Sequence, residues 1–226
     1  VIIMVPDTPD GERVLFGDNS VAEGWSAGKL VIDMSSISPT ATKDFAAKVN
    51  EKGAEYLDAP VSGGEVGAKN AALTIMVGGP QAAFDRAKPL FDLMGKNITL
   101  VGTVNGAGQT CKVANQIIVA LNIEAVADPA KVREALRGGF ASSKILEVHG
   151  ERMSKRTFNP GFKIKLHQKD LNLALQAGRD LGGALPNTAG AQQLFTACVA
   201  QGGEDWDHSA MVKALEGLAN NPVASE

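Results

Sequence analysis

The sequence predicts an α/β layer with a largely parallel sheet, followed by an all-helical domain. Three observations carry that prediction. The first hundred residues hold five short apolar runs of strand length. Helix-like stretches separate several of these runs, the alternation that a parallel sheet requires. From Gly106 onward the apolar residues recur at helical spacing and no strand signal appears.

Taken in order, the first run is "VIIMVP", which stops at a proline, and the second is "KLVIDMS". Ser38-Pro39 then opens a helix, with serine as cap and proline at the first helical position, running to about Gly53. "AEYLDAPV" and "ALTIMVGG" are the third and fourth runs, Gln81 to Met94 is helix-like, and "NITLVG" is the fifth run. The helical half begins with the continuous stretch "GAGQTCKVANQIIVALNIEAVA". Asp128-Pro129 starts a further helix by the same cap logic, ending at Gly138-Gly139. More helices are expected over Ser142–Met153, Phe162–Leu181, Pro186–Gln201 and Asp207–Ala219. The division is therefore placed at residues 1–105 and 106–226.

Composition narrows the function classes. Lys plus Arg number 22 against 25 Asp plus Glu, a balance that argues against nucleic acid as a partner. No apolar run reaches the length of a membrane span, and the first ten residues lack the basic and small-residue pattern of a signal peptide. The two cysteines, Cys111 and Cys198, are far apart and outside any C-x-x-C pair, so free thiols in a reducing cytoplasm are expected. His149, His167 and His208 have no metal-ligand spacing, and no metal is expected.

Two stretches hold candidate chemistry. In "DAPVSGGEVGAKNAALTIMVGG", Ser62-Gly63-Gly64 directly follows a strand-like run. Spacing alone favours a plain loop between strands. The sharper reading is a backbone cradle for an anion, because adjacent glycines allow close approach to exposed N–H groups. In the first helix of the second half, Lys112, Asn115 and Gln116 stand at i, i+3 and i+4 and so share one face of an otherwise apolar helix. A lysine taken singly more often reaches solvent. The amides beside it point instead to a polar, partly desolvated environment in which lysine can donate a proton. Cys111 points about 100° away from Lys112 and is read as packing. Lys169-Asp170, in a helix with Leu166, Leu171, Leu173 and Leu175, reads on periodicity alone as a solvated charge pair.

Together these segments resemble the β-hydroxyacid dehydrogenase family over essentially the whole chain. "DAPVSGG" matches that family's substrate-binding signature, "GAGQTCKVAN" its G-x-G-x-x-x-K-x-x-N catalytic segment, and Lys169-Asp170 its cofactor-side K-D. The resemblance implies a Rossmann-like dinucleotide-binding domain followed by an all-helical domain for catalysis and oligomerisation. It implies Lys112 as general acid, with Ser62, Gly63, Gly64, Asn115 and Gln116 on the substrate. It also implies Val5, Pro6, Ser36, Lys169 and Asp170 on the side of an NAD or NADP cofactor. The substrate is a small carboxylate, and "IDMSSISP", "NQIIVALNIEAVA" and "DHSA" most resemble members that reduce tartronate semialdehyde to D-glycerate. The alternatives are 3-hydroxyisobutyrate, a related semialdehyde or glyoxylate as substrate, or a cofactor-less ligand-binding or oligomerisation module. A cytoplasmic homodimer or homotetramer is implied.

The family's G-x-G-x-x-G fingerprint does not occur in the sequence. By the resemblance "VIIMVP" corresponds to the fourth strand of such a domain, with roughly sixty family residues before it. "NIEAVADPAKV" is shorter than its family counterpart by about a dozen residues.

Overall fold

A computed structural model describes residues 1–125 and 129–222. The chain divides into two compact units, Val1–Ala114 and Asn115–Glu226.

The first unit carries six strands: β1 (Ile2–Ile3), β2 (Leu30–Asp33), β3 (Glu55–Asp58), β4 (Val61–Ser62), β5 (Leu73–Gly78) and β6 (Gly95–Gly102). Between them lie α1 (Thr8–Phe16), α2 (Pro39–Glu51), α3 (Gly64–Lys69) and α4 (Gln81–Phe91). β1–β2, β2–β3 and β5–β6 pair in parallel. The strands alternate their side chains between two cores, as a pleated sheet covered on both faces must. Val31 and Tyr56 pack with Leu15 of α1 and with Phe45 and Val49 of α2. Their neighbours Ile32 and Leu57 pack with Ala83, Phe84 and Phe91 of α4.

One departure from parallel order is informative. β5 runs antiparallel to both β3 and β4, through Asp58↔Gly78, Val61↔Ile75 and Ser62↔Thr74. These pairs share one continuous register. β3, Pro60 and β4 are thus a single extended arm, and β5 folds back along it after the short helix α3. The amide of Met76 donates to the Pro60 carbonyl at 3.0 Å, so the register continues through the proline. Pro60 has no N–H to donate, which divides the arm into two ladders.

α1 is absent from the sequence-based expectation, although its cap obeys the rule that revealed α2. Asp7 accepts from the Thr8 amide and Pro9 lies in the first turn, much as Ser38 accepts from the Ala41 amide ahead of α2.

The second unit is helical. α5 (Ala107–Glu124) begins in the first unit and continues into the second, followed by α6 (Pro129–Leu136), α7 (Lys144–Ser154), α8 (Ile164–Asp180), α9 (Pro186–Ala200) and α10 (Met211–Ala219). A short 3-10 turn, His208–Ala210, leads into α10. Among the described residues this unit holds no strand, only one isolated bridge between Lys163 and Asp207. The expected cap Asp128 and the shortened segment around residue 127 lie outside the described residues. Leu146, Met153, Ile164, Leu171, Phe195, Cys198 and Met211 form the core. Both cysteines are free. The Cys198 thiol is buried, points to the Ala210 carbonyl at 3.7 Å, and is pushed up to about 11 by that burial.

Candidate active site

In the first unit, Ser62 closes β4 and Gly64 opens α3. The stretch that spacing reads as a plain loop is instead a tight strand-to-helix corner in which both glycines sit. Gly63 has φ +136° and Gly64 φ +60°, values that disfavour any other residue. A Cβ on Gly63 would also press within 3.3 Å of Leu73 Cδ2. Both glycines are exposed and Ser62 is half-buried.

Val5, Pro6 and Ser36 lie in the loops that leave β1 and β2. The Val5 amide donates to Ser35 Oγ at 2.9 Å, tying the two strand ends together. Gln109 of α5 brackets Ser36: its Nε2 donates to the Ser35 carbonyl at 2.7 Å, and its Oε1 accepts from the Ile37 amide at 3.2 Å.

Asp58, the first residue of "DAPVSGG", holds the start of the same helix. One carboxylate oxygen accepts from the Gly106 amide at 2.8 Å and the other from the Gln109 amide at 3.0 Å. Gly108 is required by contact, since a Cβ there would lie 2.3 Å from the Met76 carbonyl oxygen. The beginning of α5 is therefore docked onto the ends of β2, β3 and β5. Burial pushes the Asp58 carboxyl up from the ordinary aspartate range, against the lowering effect of its N–H donors. Lys112 follows Gln109 by three residues on the same helix face and is 8% exposed. The solvent-reaching alternative for this lysine does not hold.

Sequence reasoning missed Asp58 and Gln109. The signal for Gln109 was present: it extends the polar stripe of Lys112, Asn115 and Gln116 back by one turn.

In the second unit, Asn115 Nδ2 donates to Gln116 Oε1 at 2.7 Å, and Gln116 Nε2 donates to Asp170 Oδ2. Lys169 pairs with the other Asp170 oxygen at 2.7 Å. The solvated-pair reading of Lys169-Asp170 is overturned, for Asp170 is 2% exposed. His167, Asp170, Leu171 and Ala174, at i, i+3, i+4 and i+7, form the buried stripe of α8. Counting leucines placed the stripe slightly off.

His208 and Ser209, of "DHSA", are buried with their polar atoms already engaged. Ser209 Oγ donates to Asp207 Oδ1 at 2.6 Å. His208 Nδ1 stands 2.9 Å from His167 Nδ1, and His208 Nε2 stands 3.1 Å from His149 Nε2. Three histidines with unremarkable sequence spacing thus meet in space. Asp207 is fully buried and pairs with Arg152 at 2.7 Å. Burial alone would raise its carboxyl. The His149 and His208 rings, the Ser209 hydroxyl and the Gly161 amide outweigh that and hold it well below the ordinary range. His208 is held well below the ordinary histidine value by burial first, then by its two histidine neighbours, with Asp207 opposing.

An α/β unit with a doubly covered sheet, a helix start docked on the strand ends and a buried lysine one turn beyond agree with the class that the sequence resembles, a nicotinamide-dependent dehydrogenase. Comparison with known proteins bears this out. The family described as "NAD binding domain of 6-phosphogluconate dehydrogenase" matches residues 1–102. That described as "NAD-binding of NADP-dependent 3-hydroxyisobutyrate dehydrogenase" matches residues 106–215. The chain is 65% identical to a 2-hydroxy-3-oxopropionate reductase of Escherichia coli, over 99% of this chain and 80% of that protein. A crystal structure of 3-hydroxyisobutyrate dehydrogenase from Salmonella typhimurium superimposes with a TM-score of 0.83 at 28% identity, covering 94% of this chain and 78% of that one. The Mycobacterium tuberculosis 3-hydroxyisobutyrate dehydrogenase, solved with L-serine, gives 0.84 at 31% identity over 95% and 78%. The chain belongs to the 3-hydroxyisobutyrate dehydrogenase-like family of NAD(P)-dependent hydroxyacid dehydrogenases. It is an enzyme, and the cofactor-less module is set aside. No helix among the described residues is long and apolar enough to cross a membrane.

Proposed function

We propose that this enzyme reduces 2-hydroxy-3-oxopropionate (tartronate semialdehyde) to D-glycerate, with Lys112 as the general acid. The observation that carries the substrate is the 65% identity to the Escherichia coli reductase across nearly the whole chain. The nicotinamide supplies a hydride to the aldehyde carbon when bound. The chain's own residues do the rest. The Lys112 ammonium hydrogen-bonds the aldehyde oxygen and gives it a proton as the alkoxide develops. Ser62 Oγ and the amides of Gly63 and Gly64 hold the substrate carboxylate, a role that fits the exposure of both glycines. Asn115 and Gln116 orient the substrate hydroxyl. Val5, Pro6 and Ser36 face the nicotinamide, a role that fits the bracketing of Ser36 by Gln109. Lys169 and Asp170 lie toward the cofactor. The working form is a cytoplasmic homodimer or homotetramer.

Tartronate semialdehyde carries a hydroxyl where methylmalonate semialdehyde carries a methyl group. A site built from amides rejects the methyl compound because its polar groups are left unpaired. The expected kcat/KM ratio is at least about 10² in favour of the hydroxyl compound. Cofactor absorbance at equal aldehyde concentrations measures it. Equal rates would move the substrate to the 3-hydroxyisobutyrate side and leave the role of Lys112 standing.

A further inference from the structure

The histidine cluster of the second unit has no part in the reading above, yet it ends on the helix that carries Asn115 and Gln116. His167 Nε2 lies 3.0 Å from the Gln116 backbone carbonyl. That contact sets the direction of the hydrogen bonds between the rings. A carbonyl can only accept, so His167 Nε2 carries the hydrogen. In neutral His167, Nδ1 is then bare and must accept, so His208 Nδ1 carries a hydrogen across the 2.9 Å contact. Neutral His208 is left with a bare Nε2, which accepts from His149 Nε2–H at 3.1 Å. The last nitrogen, His149 Nδ1, is buried and makes no hydrogen bond within its reach. It faces Asp207 Oδ1 at 3.7 Å.

We propose that His149, His208 and His167 form a one-directional hydrogen-bonded chain that grips the Gln116 carbonyl, making His167 and His208 positioning residues for the reduction. Gln116 is held twice by α8: its carbonyl by His167, and its side-chain amide by Asp170, three residues further along the same face. Main chain and side chain are thereby fixed together, and Asn115 is tied to the same amide.

The chain does not deliver protons to substrate, because its inner end is an amide carbonyl. Nor is the cluster a cation's cage. Asp207 already pairs with Arg152, and its two oxygens accept from Ser209 and from the Gly161 and Phe162 amides. Asp207, the cap of the 3-10 turn, and His208 within it face the His149 ring, and Arg152 on α7 pairs with the same Asp207 carboxylate.

The chain has three histidines in all, so 15N-histidine labelling gives only three imidazole patterns. At neutral pH the expected tautomers are Nε2–H for His167 and Nδ1–H for His208, with His149 carrying a hydrogen on Nε2. An Nδ1–H tautomer at His167, or an Nε2–H tautomer at His208, overturns the chain.

The kinetic arm rests on Gln116 serving the substrate. His167→Phe removes the donor and should lower kcat/KM for the semialdehyde by about 10- to 100-fold. His167→Gln, which keeps an N–H for the carbonyl, should recover most of that loss. Equal losses in both variants, or no loss in His167→Phe, overturn the positioning role. The preference between the two semialdehydes tests the substrate assignment separately. If His167→Phe does not fold, the tautomer pattern of the unmodified protein still decides the proposal.

Discussion

Asp58 in the first unit and Asp207 in the second are both fully buried, and their carboxyls are shifted in opposite directions. Asp58 has only uncharged donors, principally the amides at the start of α5, and burial prevails. Asp207 has a guanidinium at 2.7 Å, two imidazoles, a hydroxyl and further amides, and those partners prevail. Burial therefore does not set the charge cost of a carboxylate; the partners buried with it do. The contrast also describes the two units. The first uses a carboxylate and an amide side chain to fasten backbone segments that lead to Lys112. The second uses a network of ionisable side chains to fasten helices to one another.

The largest expected effect tests what the first arrangement is for. Lys112→Ala should lower kcat by about 10²–10⁴-fold. Lys112→Arg should fail similarly, since a guanidinium does not give up its proton. Steady-state turnover of the full protein decides this, and near-normal turnover in Lys112→Ala would remove the lysine from the mechanism. Next, Asp207→Asn leaves Arg152 without its buried counter-charge and should cost about 3–5 kcal/mol of stability. Urea unfolding followed by far-UV circular dichroism measures it. Asp58→Asn is milder. It sets an NH₂ group against a backbone N–H and should cost about 1–3 kcal/mol in the same assay. A larger loss for Asp58→Asn than for Asp207→Asn would break the comparison.

The smallest effect is in the pH dependence, and its sign differs between the two residues. The lowered value of Asp207 gives stability that is present above the unfolded aspartate value of about 3.9 and lost as pH falls toward the folded value. The raised value of Asp58 gives stability that is present below about 3.9 and lost as pH rises through the folded value. Asp207→Asn should therefore flatten the acid side of the stability curve. Asp58→Asn should flatten the segment just above the ordinary aspartate range. Parallel curves for the two variants would contradict the opposite shifts.

Much of this was legible in the sequence because local chemistry wrote it there. Ser38-Pro39 announced α2, and the loss of strand signal after Gly106 announced the helical half. Lys112, Asn115 and Gln116 shared a face by spacing alone. α1 was overlooked although Asp7 and Pro9 spell a comparable cap, because the proline closing "VIIMVP" drew attention to the strand end. The fold-back of β5 was hidden, since the strand–helix alternation announces a parallel sheet and α3 occupies a stretch that spacing reads as a plain loop. Asp170 looked solvated because Lys169 beside it supplies a counter-charge; its buried partner Gln116 lies 54 positions away. The histidine chain was illegible for the same reason. It joins α7, α8 and the turn before α10, and no local spacing encodes a meeting of three elements.

Cys198 gives the protein an internal clock. With its thiol pushed up to about 11 by burial, only about one molecule in 10⁴ carries the reactive thiolate at neutral pH. Its place in the helical core also shuts out reagents. Cys111 is half-buried and lies outside that core. A disulfide reagent should therefore modify the folded protein in two phases, the slow one timed by opening of the helical unit around Cys198. The rate of that second phase reports how often the core breathes, without any label being introduced.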